Sequence, residues 1–294
     1  MNDLTAVVLN FRTPDKTLAC LQSLAAEGIV RIVLVENSQD GGATLAVMRS
    51  GLQMLDERGV QVDIVDEGRN LGFATGVNRA LARVQARGAT PVLLLNSDAR
   101  LESGALALLK EALNTGADMA APLIAVPGHE TRTPRFYYQK YLAMLTQHPV
   151  AGSFSYITGA CMLLAADIAK PGLFDEDFFF YGEDVMLGAD LAKRGKICVV
   201  VKDENSRVVH EGSGSARNGS LFYEYHINRG HWLLAHKLGK GNLGYTWMLV
   251  GRALMLTLRA FVRSVRFGSA TPLCAYWMAT MDVRAGRCRD LMPR

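Results

Sequence analysis

The first 115 residues alternate short apolar segments with longer segments of helical spacing, and few folds accept that order. Residues 4–10, 31–36, 60–65 and 91–95 are runs such as RIVLVE and PVLLL, as expected of parallel strands covered on both faces. Between them, residues 14–26, 43–58, 74–87 and 101–115 carry apolar side chains at helical spacing, as Leu18, Leu21 and Leu24 do. This alternation predicts an α/β fold with a mostly parallel sheet flanked by helices. In such sheets ligands bind outside the carboxyl ends of the strands. Polar residues gather there: Asn10; Glu36, Asn37 and Ser38; Arg69 and Asn70; Asn96, Ser97 and Asp98. No GxGxxG follows the first strand and no GxxxxGK[ST] occurs, which disfavours an NAD-type site and a P-loop.

Beyond residue 116 the alternation fails. Residues 128–152, with Pro134 and Pro149, read as a loop over the site. Residues 155–165 and 197–201 read as strands, and the chain after Phe222 as mostly helical. We expect a catalytic domain over residues 1–220 and a helical C-terminal region over 221–294. The 294 residues are 49% hydrophobic and 20% charged, a globular balance. The net charge of +4 gives no ground for a nucleic-acid partner. Five scattered cysteines without a CxxC imply neither a disulfide framework nor a zinc cluster, and fit a reducing compartment. The opening MNDLTAVVLN lacks the basic and apolar regions of a secretory signal, and no apolar run reaches the roughly 20 residues of a spanning helix.

Three places carry chemistry. Asp98, after PVLLL, stands where a carboxylate can hold a hard cation shared with substrate phosphates. It also fits the cap of a helix starting near Leu101. Residues 174–184, FDEDFFFYGED, mix five acids with five aromatics, the composition of a pocket wall presenting carboxylates from an apolar frame. Glu183 and Asp184 equally suit a helix N-terminus. His210 ends the apolar run VVH beside the glycine-serine run that begins at Gly212, as a ligand or as a structural histidine.

Eight segments, in order over residues 4–238, together resemble family-2 glycosyltransferases of the GT-A fold, and most of all their bacterial rhamnosyltransferase-like branch. They are VVLNFRTPDKTLACLQSL, VLVENSQDGG, RNLGFATGVNRAL, LLLNSDARLESGAL, ITGACMLLAADI, GLFDEDFFFYGEDVMLGADLAKRG, VVHEGSGS and YEYHINRGHWLLAHKL. The resemblance implies that Asn10, Phe11, Arg12, Glu36 and Asn37 meet the base and ribose of a nucleotide sugar. It implies that Arg69, Asn70, Gly72 and Asn78 lie against the nucleotide. Asn96, Ser97 and Asp98 resemble a degenerate DxD, with Asp98 as metal ligand and His210 completing the coordination of Mg²⁺ or Mn²⁺. Glu183 and Asp184 match a Glu-Asp pair with Asp184 as catalytic base, and Gly159 and Ala160 would border sugar or acceptor. Departures are Glu36 and Asn96 where the family has aspartates, and Met186 where a second aspartate follows the Glu-Asp pair.

In residues 245–267, Arg252, Arg259, Arg263 and Arg266 share one side of a helix, with Trp247, Leu254, Leu258 and Phe261 over much of the rest. Trp277, Arg284, Arg287 and Arg289 continue this character. A basic stripe beside an apolar surface describes a helix on an anionic membrane; packing on the catalytic domain or on a second subunit of a homo-oligomer is the alternative. The function expected is inverting transfer of a sugar, L-rhamnose from dTDP-rhamnose in the leading case, to a lipid-linked saccharide of bacterial surface polysaccharide at the cytoplasmic face of the membrane. Alternatives are a UDP-hexose or UDP-galactofuranose donor, a nucleotidyltransferase, which the loop NFRTPDKT disfavours, and an inactive carbohydrate-binding scaffold.

Overall fold

A computed structural model of the chain describes residues 4–210, 218–239, 241–289 and 291. The expected Rossmann-like half is present. Strands β1 (Thr5–Asn10), β2 (Arg31–Glu36), β3 (Gln61–Asp66) and β4 (Val92–Asn96) run parallel, in the spatial order β4-β1-β2-β3. Helices α1 (Pro14–Ala26), α2 (Ala43–Glu57) and α3 (Gly72–Ala86) connect them. Leu21, Leu24, Met48 and Leu55 cover one face of the sheet, and Ala74, Val77, Leu81 and Val84 the other. Register sets Asn10 beside Glu36 and Leu9 beside Asn96, so the polar strand ends form one row.

The segment expected as a helix from residue 101 begins as a strand. β5 (Ala99–Leu101) precedes α4 (Ala105–Asn114), whose start is Gly104 in the left-handed region. Asp98 therefore caps no helix. The reason lies far along the chain: β13 (Arg207–His210) pairs antiparallel with β5, setting His210 opposite Ala99. On its other side β13 pairs with β7 (Leu123–Ala125), while β6 (Met119–Ala121) joins the central sheet.

Residues 128–152 are not a plain loop. They contain β8 (Arg135–Gln139) and β9 (Met144–Thr146), which form an antiparallel sheet with β10 (Ser153–Ile157). The strand expected over 155–165 breaks at Thr158–Ala160. β10 stays in this small sheet, and β11 (Cys161–Leu164) runs antiparallel to β4 in the large one. α5 (Glu183–Lys193) packs on β10, and β12 (Cys198–Val200) closes the sheet order β12-β6-β11-β4-β1-β2-β3. The glycine-serine run after His210 lies outside the described residues.

The C-terminal region is helical as expected: α6 (Leu221–Leu238), α7 (Asn242–Phe267) and α8 (Thr271–Arg284) pack on one another. Ser220 caps α6 by accepting a hydrogen bond from the Tyr223 amide at 3.2 Å. The arginine stripe of α7 does fall on one side, but that side faces the protein. Arg252 is fully buried and donates to the carbonyls of Lys140 and His231. Arg259 and Arg263 both pair with Glu224, itself 0% exposed on α6. A buried carboxylate demands cationic partners, and the helix turns accordingly. Of the four, Arg266 alone is exposed.

Removing Glu224 would leave two part-buried guanidinium groups unmatched. Glu224→Leu should lower the unfolding free energy by about 3–5 kcal/mol, read from the urea midpoint at constant slope.

Candidate functional site

A cavity of about 700 Å³ opens at the carboxyl ends of the parallel strands, within the range of small-ligand sites. It brings together residues widely spaced in sequence: Asn10 and Phe11, Asn37, Asn70 and Gly72, Asn96 to Asp98, Gly159 and Ala160, Glu183 and Asp184, and His210. Arg12, Glu36, Arg69 and Asn78 do not line it.

Much of the strand-end chemistry holds the floor in shape. Asn10 is wholly buried. Its Nδ2 donates to Glu36 Oε2 at 2.6 Å, and its Oδ1 accepts from Thr17 Oγ1 at 2.7 Å. Glu36 Oε1 accepts from the Ser38 amide at 2.6 Å. Arg12, at φ 53°, donates through Nε to the Ser38 carbonyl at 3.1 Å. Asn37 donates to the Gly72 carbonyl and accepts from the Leu71 amide, clamping the start of α3 to β2. Asn78 grips the Phe174 backbone at both its amide and its carbonyl, and binds Glu176 at 2.9 Å. Arg69 points outward, paired with Glu67 at 3.4 Å.

Gly72 has φ 72°, and a Cβ there would stand 2.4 Å from the Phe179 carbonyl. That contact fastens the aromatic segment, since the Phe73 amide donates to the same carbonyl at 3.0 Å. Phe179, Phe180 and Tyr181 wall the cavity with Phe73, Phe136, Tyr156, Phe222 and Tyr223. Tyr181, at φ 64°, precedes Gly182 at φ 102°, the reversal that opens α5. Strain in a non-glycine residue at a cavity wall costs about 1–3 kcal/mol and is held only by packing on several sides.

The two acids singled out in sequence line the same cavity. Asp98 Oδ1 lies 3.1 Å from His210 Nε2. Burial opposes ionisation of Asp98, but the hydrogen bond and charge of His210 outweigh it and hold the carboxyl below its ordinary value. Asp184, in the first turn of α5, accepts a hydrogen bond from the Val185 amide at 2.8 Å. Burial nonetheless raises it above the usual carboxylate range. Glu183 is raised further, by burial and then by the charge of Asp184 beside it, and its Oε2 has no hydrogen-bond partner within the protein. The two carboxyls titrate as a pair, which carries one charge more readily than two. Met186, at the departure noted above, packs against an apolar cluster that includes Tyr138, Tyr156 and Phe178.

Several wall residues were missed from sequence. Arg132, Phe136 and Leu145 come from the region read as a loop, Tyr156 from the segment read as a strand, and Phe222, Tyr223 and Ile227 from α6. The period-two pattern of RFYYQ and SFSYI was the signal available for Phe136 and Tyr156.

A mostly parallel sheet of this topology, with a cavity at its strand ends lined by Asp98 and Asp184, is a GT-A-type fold. The chain belongs to glycosyl transferase family 2, whose model matches residues 5–172. It is 26% identical over 302 aligned positions to the N-acetylglucosaminyl-diphospho-decaprenol L-rhamnosyltransferase of Mycobacterium tuberculosis, in both strains CDC 1551 / Oshkosh and ATCC 25618 / H37Rv. These alignments cover 90% of this chain and 94% of the relative. In fold it is similar to mannosyltransferase PcManGT from Pyrobaculum calidifontis, solved in complex with GDP-Man and Mn²⁺. The TM-score is 0.53 at 15% identity, over 97% of this chain and 76% of that one.

The raised pair gives stability a pH dependence. A carboxyl whose folded value is raised stabilises fully below its unfolded value and loses that contribution as pH rises through the folded one. From about pH 5 to about pH 8, the unfolding free energy of the wild type should therefore fall more than that of Glu183→Gln, measured by urea denaturation at each pH.

Proposed function

We propose that the chain is an inverting glycosyltransferase that moves L-rhamnose from dTDP-rhamnose to a lipid-linked saccharide during bacterial surface polysaccharide synthesis, at the inner face of the membrane. The observation that carries the inverting mechanism is the shared cavity: Asp98 with His210, and Asp184 anchored at the head of α5, both line it. The rhamnosyl donor and polyprenyl-linked acceptor are supported by the mycobacterial relative, aligned over nearly its whole length.

Asp184 is the base. Burial raises its affinity for a proton, which suits it to take one from an acceptor hydroxyl near neutral pH. As the acceptor oxygen bonds to the anomeric carbon, its proton passes to Asp184. The bond from that carbon to the diphosphate oxygen breaks, and the nucleoside diphosphate leaves from the opposite face. A single displacement inverts the configuration and needs no glycosyl-enzyme. Phe11, Asn37, Asn70 and the floor built by Asn10 and Glu36 receive the nucleotide. Glu183, whose Oε2 has no partner within the protein, lines the cavity as a further contact for a sugar oxygen.

Asp98 and His210 fit a divalent cation, since a carboxylate and an imidazole converge at 3.1 Å beside the Asn96-Ser97 end of β4. No third His, Cys, Asp or Glu joins them among the described residues. Mg²⁺ or Mn²⁺ held by Asp98 and His210 would supply charge neutralisation to the leaving diphosphate.

Transfer assayed with a panel of nucleotide sugars should be highest with dTDP-rhamnose, and chelation should abolish it until Mn²⁺ or Mg²⁺ is restored. Turnover with UDP-hexose alone would replace the donor, and chelator-resistant turnover would remove the cation. Asp184→Asn should lower kcat by about 10²–10⁴ while nucleotide affinity, read by calorimetry, is kept. Wild-type kcat should rise with pH through about 6 as Asp184 ionises. Retained transfer in the Asn variant would exclude Asp184 as base.

A further inference from the structure

With its arginines turned inward, α7 leaves its apolar side uncovered. Trp247, Val250, Leu254, Leu258, Phe261 and Val265 recur three and four residues apart, and each is between 52% and 69% exposed. From Trp247 to Val265 this stripe runs about 27 Å along the helix. α8 packs against α7 and adds Trp277, 65% exposed. Contiguous apolar surface of this extent marks a docking face.

Charge selects the occupant. Residues 242–281 contain no Asp or Glu, and the next acid, Asp282, is buried and paired with Arg289. The exposed charges nearby are cationic: Arg266 at the end of the stripe, Arg284 at the end of α8 and Arg287 after it. A second copy would bring the same cationic, acid-free face against this one. Anionic headgroups complement it, and exposed tryptophans suit the headgroup level of a bilayer. No helix among the described residues is long and apolar enough to cross a membrane, so α7 would lie in the interface plane.

We propose that the outer face of α7, with Trp277, seats on an anionic phospholipid bilayer. The same helix braces the acceptor side of the cavity. A Cβ at Gly251 would stand 2.7 Å from the Tyr141 carbonyl, and Arg252 holds the Lys140 carbonyl, so the β8–β9 turn rides on α7. The strand after that turn carries Leu145, 54% exposed at the cavity wall. Docking thus sets the mouth of the site beside the membrane, a consequence that rests on the lipid-linked acceptor proposed above; the docking itself does not.

The full chain should float with vesicles containing about 30% phosphatidylglycerol in phosphatidylcholine, and more weakly as salt rises. Trp247→Glu combined with Leu254→Glu should weaken that binding by about tenfold or more, with the thermal midpoint and the turnover of a water-soluble acceptor unchanged. Equal binding by variant and wild type would overturn the proposal. So would a wild-type dimer, seen by light scattering, that ignores vesicles and is split by the two substitutions. Failure of transfer with every donor would count against the enzymatic reading alone, because flotation is measured without substrate.

Discussion

The hydrogen bond from the Asn96 amide to the Ala160 carbonyl, at 3.0 Å, joins the two halves of the site. Asn96 ends β4 and leads to Asp98; Gly159, one residue before Ala160, lines the cavity together with Asp184. The short crossing from β10 to β11 therefore stands between the two acids and touches the neighbourhood of each. Had residues 155–165 continued as one strand, there would be no gap in the sheets for a cavity. The break is enforced from both sides, because the Thr158 amide donates to Pro134 in the small sheet while β11 pairs with β4 in the large one.

Around that crossing the protein separates polar groups that build from polar groups that react. Asn10, Glu36, Asn37 and Asn78 are satisfied internally, and burial would be costly for them otherwise. Glu183 Oε2 has no such partner, and Asp184 shares its buried surroundings. A carboxyl pair so placed accepts one charge more readily than two, which divides it into a proton holder and an anion without any help from sequence position. The aromatic wall supplies the low-polarity setting, and its own strained turn at Tyr181 is held by Gly182 and by the packing of α6.

The C-terminal helices show the same logic on a larger scale. Buried Glu224 draws Arg259 and Arg263 of α7 inward, buried Asp282 ties the segment after α8 back through Arg289, and apolar side chains of α7 are left on the outside. An amphipathic helix read by itself has no inside; the partner charges on α6 assign one. α6 also reaches the cavity through Phe222 and Tyr223, so the helical region contributes to the site.

The parallel half of the fold was legible because each strand and helix there declares itself by local periodicity, and register then aligns their polar ends. Asp98, Asp184 and His210 were legible as residues in recurring motifs. Their meeting was not, since His210 reaches Asp98 through β13 pairing with β5, across more than a hundred residues. The Phe136 and Tyr156 wall was hidden because short antiparallel strands take their partners, and so their identity, from the sheet. Alternation of continuous apolar segments with segments of helical spacing, a property of neighbours along the chain, determined the architecture and the row of strand ends. Which acids share a proton, which aromatics close the cavity and which side of α7 faces out were decided by contacts between distant segments, because burial and charge pairing exist only once those segments meet.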